Sequence, residues 1–131
     1  MLVALHGHGS DRWQFATQVR DECRATRDAA AANGMLMISP DYRAKTSWMG
    51  PAAEADLLQI IRIVKQQFQV QRVIVSGGSM GGTSALIFAA LHPDQVDGVC
   101  TSPPTKPHVG LLSRNKRLRS GRYSIDHRYA G

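Results

Sequence analysis

Short apolar runs alternate with longer helical stretches along residues 1 to 100 of the chain. Four of the runs are typical of buried strands: Met1–Leu5, Met35–Ile38, Arg72–Ser76 and Val96–Cys100. Three stretches between them have the residue spacing of helices: about Asp11–Asn33, about Pro51–Phe68 and Thr83–Leu91. Because strands and helices alternate in order, the pattern predicts an α/β fold, with a short parallel sheet and helices on both of its faces.

The predicted helices carry recognisable start and stop residues. Ser10 suits the N-cap of the first helix, and Asn33 followed by Gly34 suits its end. Pro51 suits the first turn of the second helix, because its missing N–H has no partner there. The apolar residues of this second helix recur at spacings of three and four, which predicts a stripe in the core: Leu57, Ile60, Ile61, Val64 and Phe68.

The turn between the third predicted strand and the third predicted helix has the pattern G-x-S-x-G, formed by Gly77, Ser79 and Gly81. In a nucleophile elbow, a serine sits on a strained strand-to-helix turn, and glycines two residues away on each side avoid a clash. The strain holds the Ser79 hydroxyl above the sheet edge. The backbone N–H of Met80, at the start of the helix, would then point at a developing oxyanion. The motif therefore predicts Ser79 as nucleophile and Met80 as oxyanion donor.

Glycine-rich turns between a strand and a helix also bind phosphates, so a phosphate-binding loop is the alternative to a nucleophile elbow. Gly77 and Gly82 have the four-residue gap of a phosphate-binding P-loop, but Thr83 occupies the position of its lysine. A dinucleotide site needs G-x-G-x-x-G, a spacing that these glycines do not have. The elbow is favoured over both a phosphate loop and an incidental turn.

A second motif follows the first strand, which runs into His6–Ser10 with the sequence HGHGS. It resembles the oxyanion loop of α/β-hydrolases, in which a strand ends in His-Gly and a following backbone N–H is the second oxyanion donor. The resemblance implies the His8 amide as this donor, with the Gly9 amide as the next candidate. A metal site is the alternative, but no neighbouring Cys, Asp or Glu cluster supports it. His6 is expected to hold the loop through hydrogen bonds.

The stretch Asp41-Tyr42-Arg43, after the second strand, resembles a strand-end motif of hydrolases related to prolyl oligopeptidases. Ala44 differs from the glycine usual in that motif, and the stretch alone would serve equally as a loop anchor. With the two other motifs in the family's order, the resemblance covers about residues 1–100. It implies a serine esterase or a prolyl oligopeptidase-like peptidase that acts on ester or peptide carbonyls and uses no cofactor.

The resemblance also requires a histidine base and an acid, which follow the serine in the order acid, then histidine. The histidines after Ser79 are His92, His108 and His127. His92 lies at the end of a predicted helix and is expected to cap or pack there. Asp126 and His127 have the right order, although adjacent residues do not normally converge as separate triad loops do. The sequence thus predicts a serine hydrolase impaired by loss of its acid and base, or else an inactive remnant.

The length of 131 residues allows one domain with a core but is short for a complete hydrolase sheet. The resemblance therefore implies a chain truncated at both ends, with a hydrolase-like core at residues 1–104 and a basic, flexible tail at residues 105–131. A strand at the edge of a sheet exposes backbone N–H and C=O groups that have no partner. We accordingly expect marginal stability, self-association through the exposed sheet edges, or a gene model that omits part of a longer protein.

Charge is distributed unevenly along the chain. Residues 1–100 hold 9 Lys and Arg against 9 Asp and Glu, whereas residues 101–131 hold 7 against 1, so the whole net charge of +6 lies in the tail. The segment Ser113–Tyr123 has no apolar period and is predicted to be mobile or loosely docked. Such a tail could bind an anionic surface, and the inactive remnant would act through it. Nucleic acid is not the favoured partner, because the tail has few aromatic side chains that could stack on bases. They are Tyr123 and Tyr129.

The two cysteines, Cys23 and Cys100, fall in a predicted helix and a predicted strand, and their spacing fits no zinc or redox motif. Both are expected to be free, buried thiols. No apolar run approaches transmembrane length, and the N-terminus has no basic segment followed by a full apolar one. We therefore expect no membrane association, no bound metal and a cytoplasmic location.

Overall fold

A computed structural model describes residues 1–102, 110–113 and 124–126 of the chain. These described residues form ten elements in chain order: β1 (Leu2–Leu5), α1 (Trp13–Thr17), α2 (Asp21–Ala32), β2 (Met37–Ile38), α3 (Pro51–Gln67), β3 (Ile74–Gly78), α4 (Met80–Leu91), β4 (Gly98–Ser102), β5 (Gly110–Ser113) and β6 (Ser124–Asp126). None of the helices in these ranges is long and apolar enough to cross a membrane.

The strands form one sheet in the order β2-β1-β3-β4-β5-β6. The first four are parallel, with Leu5 opposite Gly77 and Ser76 opposite Cys100. The predicted α/β fold with a parallel sheet is confirmed. β5 and β6 extend it in antiparallel fashion and were not predicted, since they lie in residues 105–131. Apart from its first residue, the predicted mobile segment Ser113–Tyr123 lies outside the described residues.

The order of the strands decides which helices cover each face. The chain moves from β1 to β2 in one direction and from β2 through β3 to β4 in the other. Because crossover connections between parallel strands are right-handed, α1 and α2 lie on one face and α3 and α4 on the opposite face. Consecutive side chains of a strand point to opposite faces, so Val75 packs under α4 while Ser76 faces the side of α2.

The main core lies between the sheet and the pair α3 and α4. It contains buried apolar side chains of both layers, among them Val3, Leu5, Leu57, Ile61, Val75, Val99 and Phe88. The predicted stripe of α3 contributes Leu57 and Ile61 directly, and Val64 packs at its margin. The prediction was wrong for Phe68, which follows the end of α3 and is exposed. The other face has a smaller cluster of Ala4, Phe15 and Cys23. Within the described residues, the sheet is therefore held mainly from one side.

The first predicted helix, from Asp11 to Asn33, was wrong as a single element, because the chain forms α1 and α2 instead. α1 ends where Gln18 adopts an extended backbone with φ −65° and ψ 142°. The guanidinium of Arg27 donates to the carbonyl oxygens of Phe15 at 2.8 Å and Gln18 at 2.9 Å. These bonds satisfy carbonyl groups at the end of α1, so the chain can turn before α2 begins.

The ends of the other helices are set by capping residues and local backbone conformation. Ser10 is not the N-cap of α1, because that position belongs to Arg12, and the Asp11 carboxylate accepts the N–H of Trp13 at 3.0 Å. The predicted end of α2 is confirmed, with Asn33 as C-cap and Gly34 at φ +60°. Pro51 is confirmed as the first residue of α3. α4 begins at Met80 rather than Thr83, so it starts directly after Ser79.

The core packing predicts how two matched substitutions in α3 should differ. Ile61→Val removes a methylene from a side chain that is 1% exposed, and should lower the free energy of unfolding by about 0.5–1.5 kcal/mol. Ile63→Val makes the same change at a side chain that is 38% exposed, and its effect should be close to zero. Urea unfolding followed by circular dichroism measures both. Equal losses of stability would contradict the core described above.

Candidate active site

Three loops meet at the carboxyl edge of the parallel strands. They follow β1, β2 and β3, and they carry the three motifs that the sequence singled out: His6–Ser10, Asp41–Arg43 and Gly77–Met80. Because these strands are parallel neighbours, their carboxyl ends lie side by side, where α/β proteins generally bind ligands. The fold therefore brings together residues that are more than 70 positions apart in the sequence.

Ser79 occupies the sharp turn between β3 and α4. Its backbone has φ +54° and ψ −125°, a conformation that non-glycine residues rarely adopt. The side chain is exposed, and its hydroxyl makes no capping bond to the following helix. Ser79 is thus held in a strained conformation with its hydroxyl available at the sheet edge.

The glycines on either side of Ser79 are required by two different contacts. A Cβ added to Gly77 would lie 2.6 Å from the carbonyl oxygen of Gly81, across the turn. A Cβ added to Gly81 would lie 2.8 Å from the carbonyl oxygen of His6 and would also overlap the backbone of Leu5. Real Cβ contacts are essentially never under 3.0 Å. The first glycine therefore allows the turn itself, and the second allows the turn to pack against the loop after β1.

Two backbone N–H groups remain available beside this turn. Met80 is the first residue of α4, so its N–H has no partner inside the helix and lies at the positive end of the helix dipole. Within the loop after β1, the N–H groups of Gly7, Gly9 and Ser10 donate to Gln14, Lys45 and Gly7 respectively. No described residue accepts the N–H of His8.

The loop after β1 is held in place by His6, whose side chain is completely buried. Its ring nitrogens lie 2.9 Å from the carbonyl oxygen of Gly7 and 3.1 Å from that of Asp41. The Tyr42 ring packs against the His6 ring at 4.6 Å, and the Tyr42 hydroxyl donates to the His6 carbonyl oxygen at 2.8 Å. His6 therefore holds the loop, as the sequence predicted.

The stretch Asp41-Tyr42-Arg43 serves as the anchor for that loop. The Asp41 carboxylate accepts the backbone N–H of Arg12 at 2.7 Å and pairs with its guanidinium at 2.9 Å. Tyr42 and Arg43 have φ angles of +29° and +86°, so the chain turns sharply to bury the tyrosine. Burial raises the pKa of the Tyr42 phenol, which therefore remains a hydrogen-bond donor at neutral pH.

Sequence reasoning missed two residues that shape this edge. Gln14 is buried in α1, and its side-chain oxygen accepts the Gly7 N–H at 2.8 Å, which orients the loop. Trp48 places its ring 6.2 Å from the ring of His8, in a loop where it has φ +48°. A glutamine on a predicted amphipathic helix normally indicates a surface position, so no signal in the sequence identified Gln14.

A base for Ser79 is not found among the histidines of the described residues. His92 follows the far end of α4, which separates it from Ser79 by about 18 Å of helix. There its ring bonds Glu54 at 2.8 Å and packs against Phe88, in agreement with the predicted packing role. His6 is held by carbonyl groups, and His8 lies on the candidate oxyanion loop.

The predicted base and acid fall at the end of the described chain. His108 and His127 lie outside the described residues. Asp126 is the last residue of β6, three strands away from β3 and roughly 14 Å from it by the usual strand spacing. The structure thus brings together the predicted nucleophile and oxyanion donors but does not bring the Asp126 backbone next to them.

The remaining candidate groups are not arranged for other chemistry. No cluster of three potential metal ligands occurs within residues 1–102 and the two short described strands. Cys23 and Cys100 are free thiols, as expected, but only Cys23 is fully buried, and Cys100 is partly exposed. Burial raises the pKa of both, so the thiols stay protonated at neutral pH and are poor nucleophiles.

Comparison with known proteins agrees with this architecture. A family model described as the alpha/beta hydrolase fold matches residues 6–120. The crystal structure of a variant of PytH is similar in fold, with a TM-score of 0.53, 18% sequence identity and coverage of 78% of this chain. The chain spans only 39% of the length of PytH. No curated protein matches it. Because the family model matches most of the chain, including the loop after β1 and the turn at Ser79, the protein belongs to the α/β-hydrolase fold family.

Proposed function

We propose that the protein is a serine hydrolase that acts on ester or peptide carbonyls through an acyl-enzyme on Ser79. The observation that carries the proposal is the backbone of Ser79, at φ +54° between two glycines that admit no side chain. Strain of this kind persists only where the surrounding structure imposes it, and it is concentrated at functional sites. An exposed serine hydroxyl beside free backbone N–H groups is the arrangement that acyl transfer needs.

In the first step, the Ser79 oxygen attacks the carbonyl carbon of the substrate while a base accepts the hydroxyl proton. The carbonyl oxygen becomes an oxyanion, and we assign its two donors to the backbone N–H groups of Met80 and His8. Gly9 is the weaker candidate, since its N–H already donates to Lys45 at 2.9 Å. Collapse of the intermediate breaks the bond to the leaving alcohol or amine, which takes the proton from the base. Water then hydrolyses the acyl group by the same steps in reverse order.

The rate of the proposed reaction depends on which group acts as the base. Asp126 and His127 remain the predicted acid and base, although the β6 backbone lies three strands from β3. An oxyanion hole and substrate binding alone retain part of the rate enhancement of a serine hydrolase when triad residues are lost. We therefore expect slow turnover, with esters preferred over peptides, because ester cleavage places a smaller demand on the acid that protonates the leaving group. The prolyl oligopeptidase-related subtype rests on the Asp41-Tyr42-Arg43 stretch alone.

An alternative function is favoured by the distribution of charge. Residues 101–131 hold 7 Lys and Arg against 1 acidic residue, whereas the rest of the chain is balanced. A catalytically inactive hydrolase domain with such a tail would be an interaction module for an anionic partner. This alternative requires no base, and it keeps the strained turn only as a part of the architecture.

The proposed nucleophile predicts a covalent reaction. Folded protein treated with a fluorophosphonate should gain one adduct mass, because the phosphorus is attacked as a carbonyl carbon would be. Ser79→Ala and heat-unfolded protein should gain none, and intact-mass spectrometry reads out all three. A folded, unlabelled wild type would contradict an activated Ser79, and equal labelling of Ser79→Ala would assign the reaction to another residue.

The packing of Gly81 predicts that an added methyl group would displace the turn at Ser79 from the loop after β1. Gly81→Ala would force the Cβ into the backbone of the loop after β1, and should lower the free energy of unfolding by about 3 kcal/mol and abolish fluorophosphonate labelling. Gly50→Ala is the matched control, because its Cβ would meet only an ordinary contact of 3.5 Å. Urea unfolding and intact mass measure both effects. Full labelling of a stable Gly81→Ala protein would exclude the proposed geometry.

The alternative function predicts salt-dependent binding to a polyanion. Heparin should bind the full chain at 50 mM salt and lose at least tenfold in affinity at 200 mM salt, because several cations of the tail would release counterions. Substitution of Arg117 and Arg119 by Ala should reduce the slope, whereas Arg62→Ala on α3 should not. Binding with this salt dependence and without serine labelling would favour the interaction module. Binding that does not change with salt concentration would exclude electrostatic binding by the tail.

A further inference from the structure

An exposed tryptophan, Trp48, lies beside the candidate oxyanion loop. Its side chain is 49% exposed, and its ring centroid is 6.2 Å from that of His8, which is exposed as well. Two rings at this separation form an aromatic pair. The backbone N–H of His8 is one of the two donors that we assign to the oxyanion. The pair therefore lies next to the carbonyl group that the site would hold.

The loop that carries Trp48 is held by hydrogen bonds at two points. The carbonyl oxygen of Lys45 accepts the N–H of Gly9 at 2.9 Å, which joins this loop to the loop after β1. The Ser47 hydroxyl donates to the carbonyl oxygen of Ala44 at 3.0 Å and accepts the Ala44 N–H at 2.8 Å. Trp48 is therefore presented by a loop whose position relative to His8 is set by backbone bonds.

The backbone at Trp48 is strained. Trp48 and the next residue, Met49, have φ angles of +48° and +55°, which residues with side chains rarely adopt. Met49 is 5% exposed and belongs to the main core, so its burial accounts for its own conformation. It does not account for a large apolar side chain at the exposed position before it. Strained residues are concentrated at functional sites, and an exposed aromatic ring there suits the binding of a ligand.

The charged groups around this loop already have partners. Three cations lie on it or beside it, and each of them pairs with a carboxylate: Arg12 with Asp41 at 2.9 Å, Arg43 with Asp56 at 2.8 Å, and Lys45 with Asp11 at 3.6 Å. An anionic group bound next to Trp48 would have to displace one of these carboxylates, whereas a neutral ring would leave the pairs intact. The charge distribution therefore favours a neutral ligand.

The order of the strands indicates which part of a substrate lies at Trp48. The loops with His8 and Trp48 follow β1 and β2, on one side of β3, and β6 with the predicted acid Asp126 lies on the other side. The base that this acid would orient gives its proton to the leaving group. The leaving group is therefore expected on the β6 side of Ser79, and the acyl group on the side of Trp48.

We propose that the acyl group of the substrate carries a neutral aromatic ring, which packs against the exposed face of Trp48 beside His8. Trp48 is then the residue that selects the acyl group, a role that rests on the proposed hydrolase function. A ring inserted between the two side chains would need about 7 Å, because each contact takes roughly 3.5 Å. Since the centroids are 6.2 Å apart, the substrate ring lies against the pair rather than between its members.

The first experiment compares two esters with the same leaving group, p-nitrophenyl phenylacetate and p-nitrophenyl acetate. Initial release of p-nitrophenolate by the full chain is measured above the Ser79→Ala background. The wild type should be acylated roughly tenfold faster by the phenylacetate, because an apolar contact of this size discriminates to about that extent. Trp48→Ala should lower this ratio about fivefold, and Trp48→Phe should retain most of it, since a ring remains.

Trp13→Ala is the matched control for Trp48→Ala. Trp13 is 58% exposed, so its removal deletes an equally accessible indole from the start of α1. The ratio of the two ester rates should stay within about twofold of the wild type, as for a surface substitution. Using the ratio removes any effect that is common to both esters. Circular dichroism establishes that each variant is folded, and Trp48→Gln replaces Trp48→Ala if the latter is not.

The second experiment requires no hydrolysis. The chain has two tryptophans, so Trp13→Phe leaves Trp48 as the single indole fluorophore. Phenylacetamide has the same ring and carbonyl group as the better ester, but its amide bond resists cleavage. Titration with phenylacetamide should change the Trp48 fluorescence to saturation. Acetamide, which lacks the ring, should produce no saturable change over the same concentrations.

The outcomes distinguish the aromatic site from the hydrolase function. Fluorophosphonate labelling of Ser79, together with an ester ratio that Trp48→Ala does not change, would overturn the aromatic site while the hydrolase function stands. Saturable binding of phenylacetamide without labelling of Ser79 would support the aromatic site and contradict the hydrolase. Equal fluorescence changes with phenylacetamide and acetamide would overturn the site whether or not Ser79 is labelled.

Discussion

The close contact between the β3–α4 turn and the backbone after β1 is the constraint on which the rest of the structure depends. It exists because Gly81 has no side chain where the carbonyl groups of Leu5 and His6 pass. The contact joins two segments that are far apart in the sequence but adjacent in the sheet. It sets the position of the helix N-terminus relative to the loop with the second free N–H, so the two candidate donors are arranged by backbone packing rather than by side chains.

A second layer of interactions keeps that backbone in place. Gln14, Asp41 and Tyr42 all bind main-chain groups of the loop or of the segment beside it. Gln14 comes from the connection between β1 and β2, whereas Asp41 and Tyr42 come from the connection between β2 and β3, so the candidate site is supported from two sides. This support is complete within the described residues and does not involve a histidine base. The described bonds therefore stabilise the backbone around the candidate oxyanion donors, and none of them depends on the proposed base.

Much of this arrangement could be predicted from the sequence, because it is local. The order of strands and helices follows from apolar periodicity, and the turn at Ser79 follows from the spacing of its glycines. The break between α1 and α2 could not be predicted, since it depends on the reach of Arg27 back to the carbonyl groups of Phe15 and Gln18. The pairing of β5 and β6 escaped prediction for a similar reason, because antiparallel addition at a sheet edge leaves little periodic signal in such short strands.

The unequal covering of the two faces has a consequence for the dynamics of the domain. Among the residues that the structure describes, the α3 and α4 side holds the large core and the contact with the candidate nucleophile turn, whereas the α1 and α2 side is held by a cluster of three buried residues and a few polar bonds. The free energy of local opening is lower where fewer apolar side chains are buried. Amide protons of α1 and α2 are therefore expected to exchange by subglobal opening, while those of β1, β3 and α4 exchange only when the whole domain unfolds.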